Sequence, residues 1–165
     1  MLKKVFIFLL IVFVAIQFVR PARNRSGEAS MDIRKKFAVS DSVEGILQRA
    51  CNDCHSNTTR YPWYAEVQPV NWWLTNHVKD GKRHLNLNTF LALSAARQKK
   101  RMQDCIEQID HGEMPLNSYL WIHKDAVLSE GDKATLKNWC NGVIDGLKAR
   151  YPADSLVMPK RKPAK

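Results

Sequence analysis

The residues with the clearest chemical potential lie in the stretch CNDCHSNTTRYPWY, which runs from Cys51 to Tyr64. Within it, Cys51, Cys54 and His55 have the spacing Cys-x-x-Cys-His. Four interpretations fit this spacing: a covalent haem attachment site, a redox-active dithiol, half of a zinc site, or two cysteines that are close by coincidence. The chain has four cysteines and five histidines among 165 residues, so coincidence is a weak explanation.

Each remaining interpretation places a further demand on the sequence. A structural zinc site needs four ligands, and the other cysteines, Cys105 and Cys140, do not form a second closely spaced pair. A thioredoxin-type dithiol is expected after a β-strand, whereas a helical pattern precedes Cys51. Haem attachment uses the whole motif, because Cys51 and Cys54 form thioethers with the haem vinyl groups and His55 becomes the proximal iron ligand. We therefore favour one covalently bound haem c.

A second iron ligand must come from a distant part of the chain. Met114 stands in the segment HGEMPL, where Gly112 ends the preceding helix and Pro115 stiffens the backbone beside the thioether. We predict Met114 as this ligand and His77 as the runner-up, and the alternative role of Met114 is core packing. Methionine ligation raises the reduction potential relative to two histidines. The remaining candidates are Met102, which fits the apolar stripe of its helix, and Met158, His84, His111 and His123.

Several residues near the motif are candidates for supporting the haem. We expect His55 to donate its second ring N–H to a backbone carbonyl near Pro62 or Pro69. The aromatic side chains of this region would equally fill a small core. The candidates for haem packing or for contacts with the propionates are Arg60, Tyr61, Trp63, Trp72 and Trp73.

Helical periodicity extends over most of the chain. Asp41 with Glu44 matches a capping box, and apolar residues at three- and four-residue steps then predict an amphipathic helix that runs into Cys51. No segment alternates with a period of two, so we expect an all-α domain. Further helices are predicted from Val70 to Gly81, from Asn88 to about Asp110, and from Ser129 onward.

The last two predicted helices each place a cysteine on an apolar face. These residues are Cys105 and Cys140. In a compartment that permits disulfides they would form a bridge between the helices. The alternative is a pair of buried free thiols.

The formal net charge of +10 is concentrated at the two ends of the chain. Residues 1–36 carry +6 and residues 148–165 carry +5, whereas residues 37–147 carry −1. Basic flanks around a nearly neutral domain are typical of a membrane-proximal arm and a solvated tail. No base-reading motif accompanies the charge, so we expect no nucleic-acid partner.

The amino terminus has the composition of a targeting or anchoring segment. Residues 5–19 are apolar apart from Gln17, and no small-x-small cleavage site follows them. We predict a retained membrane anchor, and the alternative is a cleaved signal and a soluble periplasmic protein. Because haem is attached to c-type apoproteins outside the bacterial cytoplasmic membrane, we expect the domain on the periplasmic side. The predicted organisation is an anchor or signal at 1–20, a linker at 21–38, a haem-binding domain at 39–150 and a disordered basic tail at 151–165.

Three blocks of sequence resemble the cytochrome-c-like haem-binding domain family, whose bacterial members are exported or anchored by an apolar segment. The blocks are CNDCHSNTTRYPWY, VQPVNWWLTNHVKDGKRHLNL and GEMPLNSYLWIHKDAVLS, followed by a last helix that contains Trp139. The resemblance covers about residues 38–148. It implies an all-α, cytochrome-c-like domain wrapped around one covalent haem, with attachment at the Cys-x-x-Cys-His motif, His55 as an axial ligand, and Met114 in the Met-Pro position. Family members often have a second proline where this chain has Leu116.

The expected function is that of a monohaem cytochrome that transfers single electrons between redox partner proteins that the sequence does not identify. The alternative is a haem-based gas sensor or a peroxidase-like enzyme, in which Met114 is absent from the iron or leaves it. No distal acid–base pair stands out in the sequence, so we favour an electron carrier over an enzyme. A non-haem redox or metal-binding module is the third possibility.

Overall fold

The computed structural model describes residues 1–159. Within this part of the chain it has seven α-helices and no β-strand, which confirms the all-α prediction. The helices are α1 (Leu2–Ile16), α2 (Asp41–Ala50), α3 (Asn52–His55), α4 (Val70–His84), α5 (Ala95–Asp110), α6 (Asn117–Leu120) and α7 (Glu130–Arg150). Short 3-10 helices lie between or after them at Ile33–Lys35, Trp63–Glu66, Leu87–Ala92, Lys124–Ala126 and Ala153–Leu156.

The hydrophobic core forms where α2, α5 and α7 pack together, and α5 with α7 is the most extensive of these pairs. The apolar residues of each helix recur at three- and four-residue steps and therefore share one face. Phe37 and Phe90 meet edge to face in the core, with ring centroids 6.4 Å apart. Side chains that are fully buried there include Met102, Leu136 and Leu147. Met102 thus has the packing role that its helical stripe predicts.

Two helix boundaries agree with the sequence signals. Ser129 caps α7 through a capping box, in which its hydroxyl accepts from the Asp132 N–H and the Asp132 carboxylate accepts from the Ser129 N–H. Gly112 follows α5 with φ of +69°, a backbone conformation that favours glycine. Both signals are local, so the sequence alone can carry them.

Two other boundaries differ from the prediction. α2 is capped by the Ser40 hydroxyl, which accepts from a backbone N–H, and Glu44 pairs instead with an arginine of the preceding segment. α5 begins after Ser94 and not at Asn88. The Asn88 amide is already engaged, because its Oδ1 accepts from the Asn57 N–H at 2.7 Å. A long-range contact thus overrides a local capping signal.

Helix α4 continues past Gly81 to His84, beyond its predicted end. Gly81 marks the point where α4 crosses α3. A Cβ atom built at Gly81 would lie 2.9 Å from the carbonyl oxygen of Cys54. The glycine therefore permits a close approach of two helices and does not terminate one.

The predicted membrane anchor at residues 5–19 is wrong. No helix among residues 1–159 is long and apolar enough to cross a membrane. Helix α1 has 15 residues, which gives about 22 Å of helix at 1.5 Å per residue, short of a hydrocarbon core of about 30 Å. It ends where Gln17 turns to the domain: the Gln68 N–H donates to Gln17 Oε1 at 2.9 Å. The predicted localisation, anchored to the cytoplasmic membrane through residues 5–19, is therefore wrong as well.

The segment predicted as a linker, residues 21–38, packs against the domain. Ile33 is fully buried and Phe37 is 7% exposed, and both belong to the core. Arg25 forms an isolated antiparallel bridge with Thr58, in the loop after the cysteine motif. The folded unit therefore begins before residue 39.

The predicted tail also contributes to the fold in part. A 3-10 helix at Ala153–Leu156 returns to the domain, and Leu156 is buried in the core. The rest of the predicted tail, residues 160–165, lies outside the described residues.

Candidate functional site

The cysteine motif forms a single turn of helix directly after α2. Cys51 ends α2, and its carbonyl oxygen accepts hydrogen bonds from the N–H groups of Cys54 at 3.1 Å and His55 at 2.9 Å. The turn fixes the spacing between the two thiols and the imidazole. Because α2 is anchored in the core through Leu47, the position of the motif is set by tertiary packing.

These three residues line a cavity of about 480 Å³. Its size falls in the range of roughly 300–1,000 Å³ that is typical of small-molecule and cofactor sites. α2 and α3 form one side, α4 a second, and α5 with α7 a third. The apolar lining residues are Leu47, Ala50, Leu85, Leu87, Ile109, Leu116, Leu128, Leu136 and Trp139.

Met114 lines the same cavity as Cys51, Cys54 and His55. It follows α5, and its backbone N–H donates to the carbonyl oxygen of Gln108 at 3.3 Å. This bond fixes the loop to the end of α5. The structure thus brings together the four residues that the sequence assigns to covalent attachment and iron ligation.

His55 is oriented by a backbone carbonyl. Its Nδ1 atom lies 2.9 Å from the carbonyl oxygen of Leu85. A carbonyl oxygen only accepts hydrogen bonds, so Nδ1 carries the proton and Nε2 is the nitrogen with a free lone pair. Burial lowers the pKa of His55, against the opposing effect of hydrogen bonds to Leu85 and Gly81. The partner is therefore Leu85, and not the carbonyl near Pro62 or Pro69 that the sequence suggested.

The two motif thiols are held in the protonated form. Burial, with a smaller effect of neighbouring thiols, raises the pKa of Cys51 to about 12. Burial also raises the pKa of Cys54 to about 11. Redox-active dithiols work through a lowered thiol pKa, so the direction of both shifts counts against the dithiol interpretation.

The zinc interpretation requires four clustered ligands. Among residues 1–159, no group of three or more histidine, cysteine, aspartate or glutamate side chains is placed to hold a metal ion.

Cys105 and Cys140 are both free. The structure therefore has free thiols at these two positions and not the disulfide bridge between helices that the sequence suggested. The hydrogen bond with Cys105, together with burial, raises the pKa of Cys140.

The aromatic and arginine candidates near the motif do not line the cavity. Arg60 pairs with the Asp53 carboxylate at 3.2 Å, and the Tyr61 hydroxyl accepts from the Asn24 N–H at 2.7 Å. Trp63 is 80% exposed. Trp72 donates its indole N–H to the carbonyl oxygen of Val19, and Trp73 packs on His77 with ring centroids 4.2 Å apart.

The histidine candidates occupy different environments. His77, the runner-up for the second iron ligand, lines the cavity from α4, and its Nδ1 donates to the carbonyl oxygen of Trp73 at 2.8 Å. His84 also lines the cavity, whereas His111 is exposed. His123 stacks on the Tyr119 ring, with centroids 4.1 Å apart. Met158 is 43% exposed and does not line the cavity.

The sequence interpretation missed several polar residues of the cavity. Asp53 lies between the two motif cysteines, and Tyr119 follows the Met114 loop; both line the cavity. The only indication in the sequence that these two residues belong to the site is that they lie close to the two predicted motifs. On α5, the polar lining residues recur at helical spacing, which identifies a shared face but not what it faces. They are Arg101, Asp104 and Gln108.

Comparison with known protein families identifies a match over most of the chain. A family model described as a haem-binding domain matches residues 11–142, which include the cysteine motif, the whole of α4 and α5, and the Met114 loop. No match was found among curated proteins or among solved structures.

Proposed function

The chain belongs to the haem-binding domain family, and from this we propose that it holds one haem c covalently in the cavity and serves as a one-electron carrier. The observation that carries the proposal is the composition of the cavity wall. Two thiols, an imidazole and a thioether from separate parts of the chain line one largely apolar cavity of about 480 Å³.

The residues present fit a haem. Cys51 and Cys54 are free thiols one helical turn apart, the arrangement from which two thioethers can form. His55 has its Nδ1 bonded to Leu85, which leaves Nε2 available as a ligand. Met114, from a distant part of the chain, would supply a neutral sulfur ligand. When bound, the haem iron supplies the one-electron redox couple.

Each residue then has a defined task. The thioethers of Cys51 and Cys54 keep the cofactor in place, and the Leu85 carbonyl orients the His55 ring. The apolar walls exclude water, and a thioether ligand at Met114 favours the reduced state relative to a second histidine. We propose that partner redox proteins, and no nucleic acid, exchange electrons with the domain, and that it catalyses no bond-making reaction.

The test is to express the full chain with cytochrome c maturation machinery and to denature the purified protein in acid. Haem that remains with the chain, and is released in neither solvent extraction nor denaturing electrophoresis, supports attachment at Cys51 and Cys54. Replacing His55 should abolish a stable haem-loaded protein. A wild-type chain that retains no haem after denaturation contradicts the proposal.

The second iron ligand is tested by spectra of the oxidised protein. We expect the weak far-red band of methionine-ligated ferric haem in the wild type, its loss in Met114→Ala, and its retention in Met158→Ala. Absence of the band from the wild type, with a spectrum that changes in His77→Ala and not in Met114→Ala, would contradict the ligand assignment and favour His77. A five-coordinate ferrous protein that binds CO rapidly would instead support the alternative of a gas sensor or a peroxidase-like enzyme.

A further inference from the structure

A buried carboxylate links the cysteine motif to the segment that follows Met114. Asp53 is 6% exposed and lies on α3 between Cys51 and Cys54. The Tyr119 hydroxyl donates to its Oδ2 at 2.9 Å, and Arg60 donates to its Oδ1 through the backbone N–H at 3.0 Å. Removing a partner from a buried carboxylate is costly, so this is a strong attachment point.

The Tyr119 end of the link is rigidly joined to the Met114 loop. The Tyr119 N–H donates to the carbonyl oxygen of Leu116 at 2.9 Å, which closes the first turn of α6. Met114, Pro115 and Leu116 all line the cavity. At its other end the loop is tied to α5, through the bond from the Met114 N–H to Gln108. The Tyr119–Asp53 bond is thus the tie that connects the loop to the cysteine motif itself.

The Tyr119 side chain is well suited to this role. Its ring stacks on the His123 ring, with an interplanar angle of 12°, which limits rotation of the phenol. Burial, and then the neighbouring Asp53 carboxylate, raises the pKa of Tyr119, so the hydroxyl keeps its proton and remains a donor at neutral pH. Tyr119 also lines the cavity.

We propose that Tyr119 is a positioning residue, whose hydrogen bond to Asp53 holds the Met114 loop against the cysteine motif and sets how often the Met114 thioether leaves the iron. This inference rests on the proposed ligation by Met114. In this role Tyr119 neither transfers electrons nor binds a substrate. Its effect is on the population of molecules in which the second coordination position is open.

The test compares haem-loaded wild type with Tyr119→Phe, which removes the hydroxyl and keeps the ring and its stacking. Tyr151→Phe is the matched control, because it also removes a hydrogen-bonded tyrosine hydroxyl, the one that accepts from Lys36 at 2.9 Å. The first measurement is the affinity of the ferric protein for imidazole, which binds only when the second position opens. The second is amide hydrogen exchange across residues 113–122.

We expect imidazole to bind Tyr119→Phe roughly tenfold more tightly and its loop amides to exchange roughly tenfold faster, the effect of losing one hydrogen bond to a charged group. Tyr151→Phe should match the wild type in both. Equal imidazole affinity in the two variants would overturn the proposal. If the wild type lacks the methionine band, the proposed ligation by Met114 is wrong. Unchanged amide hydrogen exchange in Tyr119→Phe separately shows that Tyr119 does not hold the loop.

Discussion

Gly81 of α4 lies directly against the backbone of Cys54, with room for no side chain between the two helices. A Cβ atom at Gly81 would lie 2.9 Å from the Cys54 carbonyl oxygen and 3.1 Å from the Cys54 Cβ. Because the first contact is with backbone, it cannot be relieved by a change of rotamer. The position of a motif cysteine therefore depends on a glycine well downstream of it in the chain.

We predict that Gly81→Ala displaces α3 relative to α4. The expected loss of stability is about 1–3 kcal/mol, as for overpacking of a close-packed interior, and the yield of covalently attached haem should fall. Denaturant unfolding and the ratio of haem to protein measure the two effects.

Gly142→Ala is the control for this substitution. Gly142 lies within α7, and nothing lies within 4 Å of an added Cβ atom. The alanine should leave haem yield unchanged and stabilise the helix by about 0.5–1 kcal/mol. Equal haem yield and equal stability in Gly81→Ala and Gly142→Ala would show that the close approach at Cys54 is unimportant.

The sequence alone predicted those parts of the site that depend on short-range patterns. The spacing of Cys51, Cys54 and His55 is a local property, and so is the glycine and proline punctuation around Met114. Hydrophobic periodicity was enough to predict the all-α architecture and most helices, because the apolar stripe of each helix repeats in consecutive turns.

The features that the sequence did not reveal depend on contacts between distant segments. The hydrogen-bond partner of His55 is the backbone carbonyl of Leu85. Because every residue has a backbone carbonyl, the residue type at position 85 does not predict this contact. Asn24 lies in a basic stretch with the composition of a linker, yet its side chain bonds to the loop after the motif. The apolar content of residues 5–19 suggested a membrane span, but α1 ends at Ile16, and the next residue, Gln17, is hydrogen-bonded to the distant Gln68.

Asn24→Ala should destabilise the fold. The Asn24 amide donates to the Ser56 carbonyl oxygen and to the Thr59 hydroxyl, each at 2.9 Å, and its Oδ1 accepts from Lys82 at 2.6 Å. Loss of these bonds should lower the free energy of unfolding by about 2 kcal/mol. Asn76→Ala, at an exposed position of α4, is the matched control and should have little effect. Denaturant titration measures the stability of both variants, and equal stability would mean that the hydrogen bonds of the Asn24 side chain contribute nothing to the fold.

The Asp132 carboxylate should make stability depend on pH. Its hydrogen bonds with Arg49 and Ser129 hold its pKa at about 2, below the usual 3.8. A lowered folded-state pKa means that the stabilisation is complete above pH 3.8 and disappears as the pH falls towards 2. Asp132→Asn should therefore cost about 1 kcal/mol at neutral pH, after allowance for solvent screening, and progressively less below pH 3.8.

Thermal unfolding of wild type and Asp132→Asn between neutral pH and pH 2 measures this difference. Glu130→Gln removes a carboxylate from the same helical turn, one that is 89% exposed and paired with Lys133, and should show a smaller pH dependence. A gap between wild type and Asp132→Asn that stays constant across the range would contradict the assignment to ionisation.

The haem-loaded chain should contain two free thiols and no disulfide. Cys51 and Cys54 would be consumed as thioethers, which leaves Cys105 and Cys140, both free in the structure. Titration with a thiol reagent after unfolding without reductant should therefore give two thiols per chain, and Cys140→Ala should give one. In the folded protein Cys140 should react slowly, because it is fully buried. A count of zero thiols in the unfolded wild type, rising to one in Cys140→Ala, would instead show that α5 and α7 are joined by a disulfide.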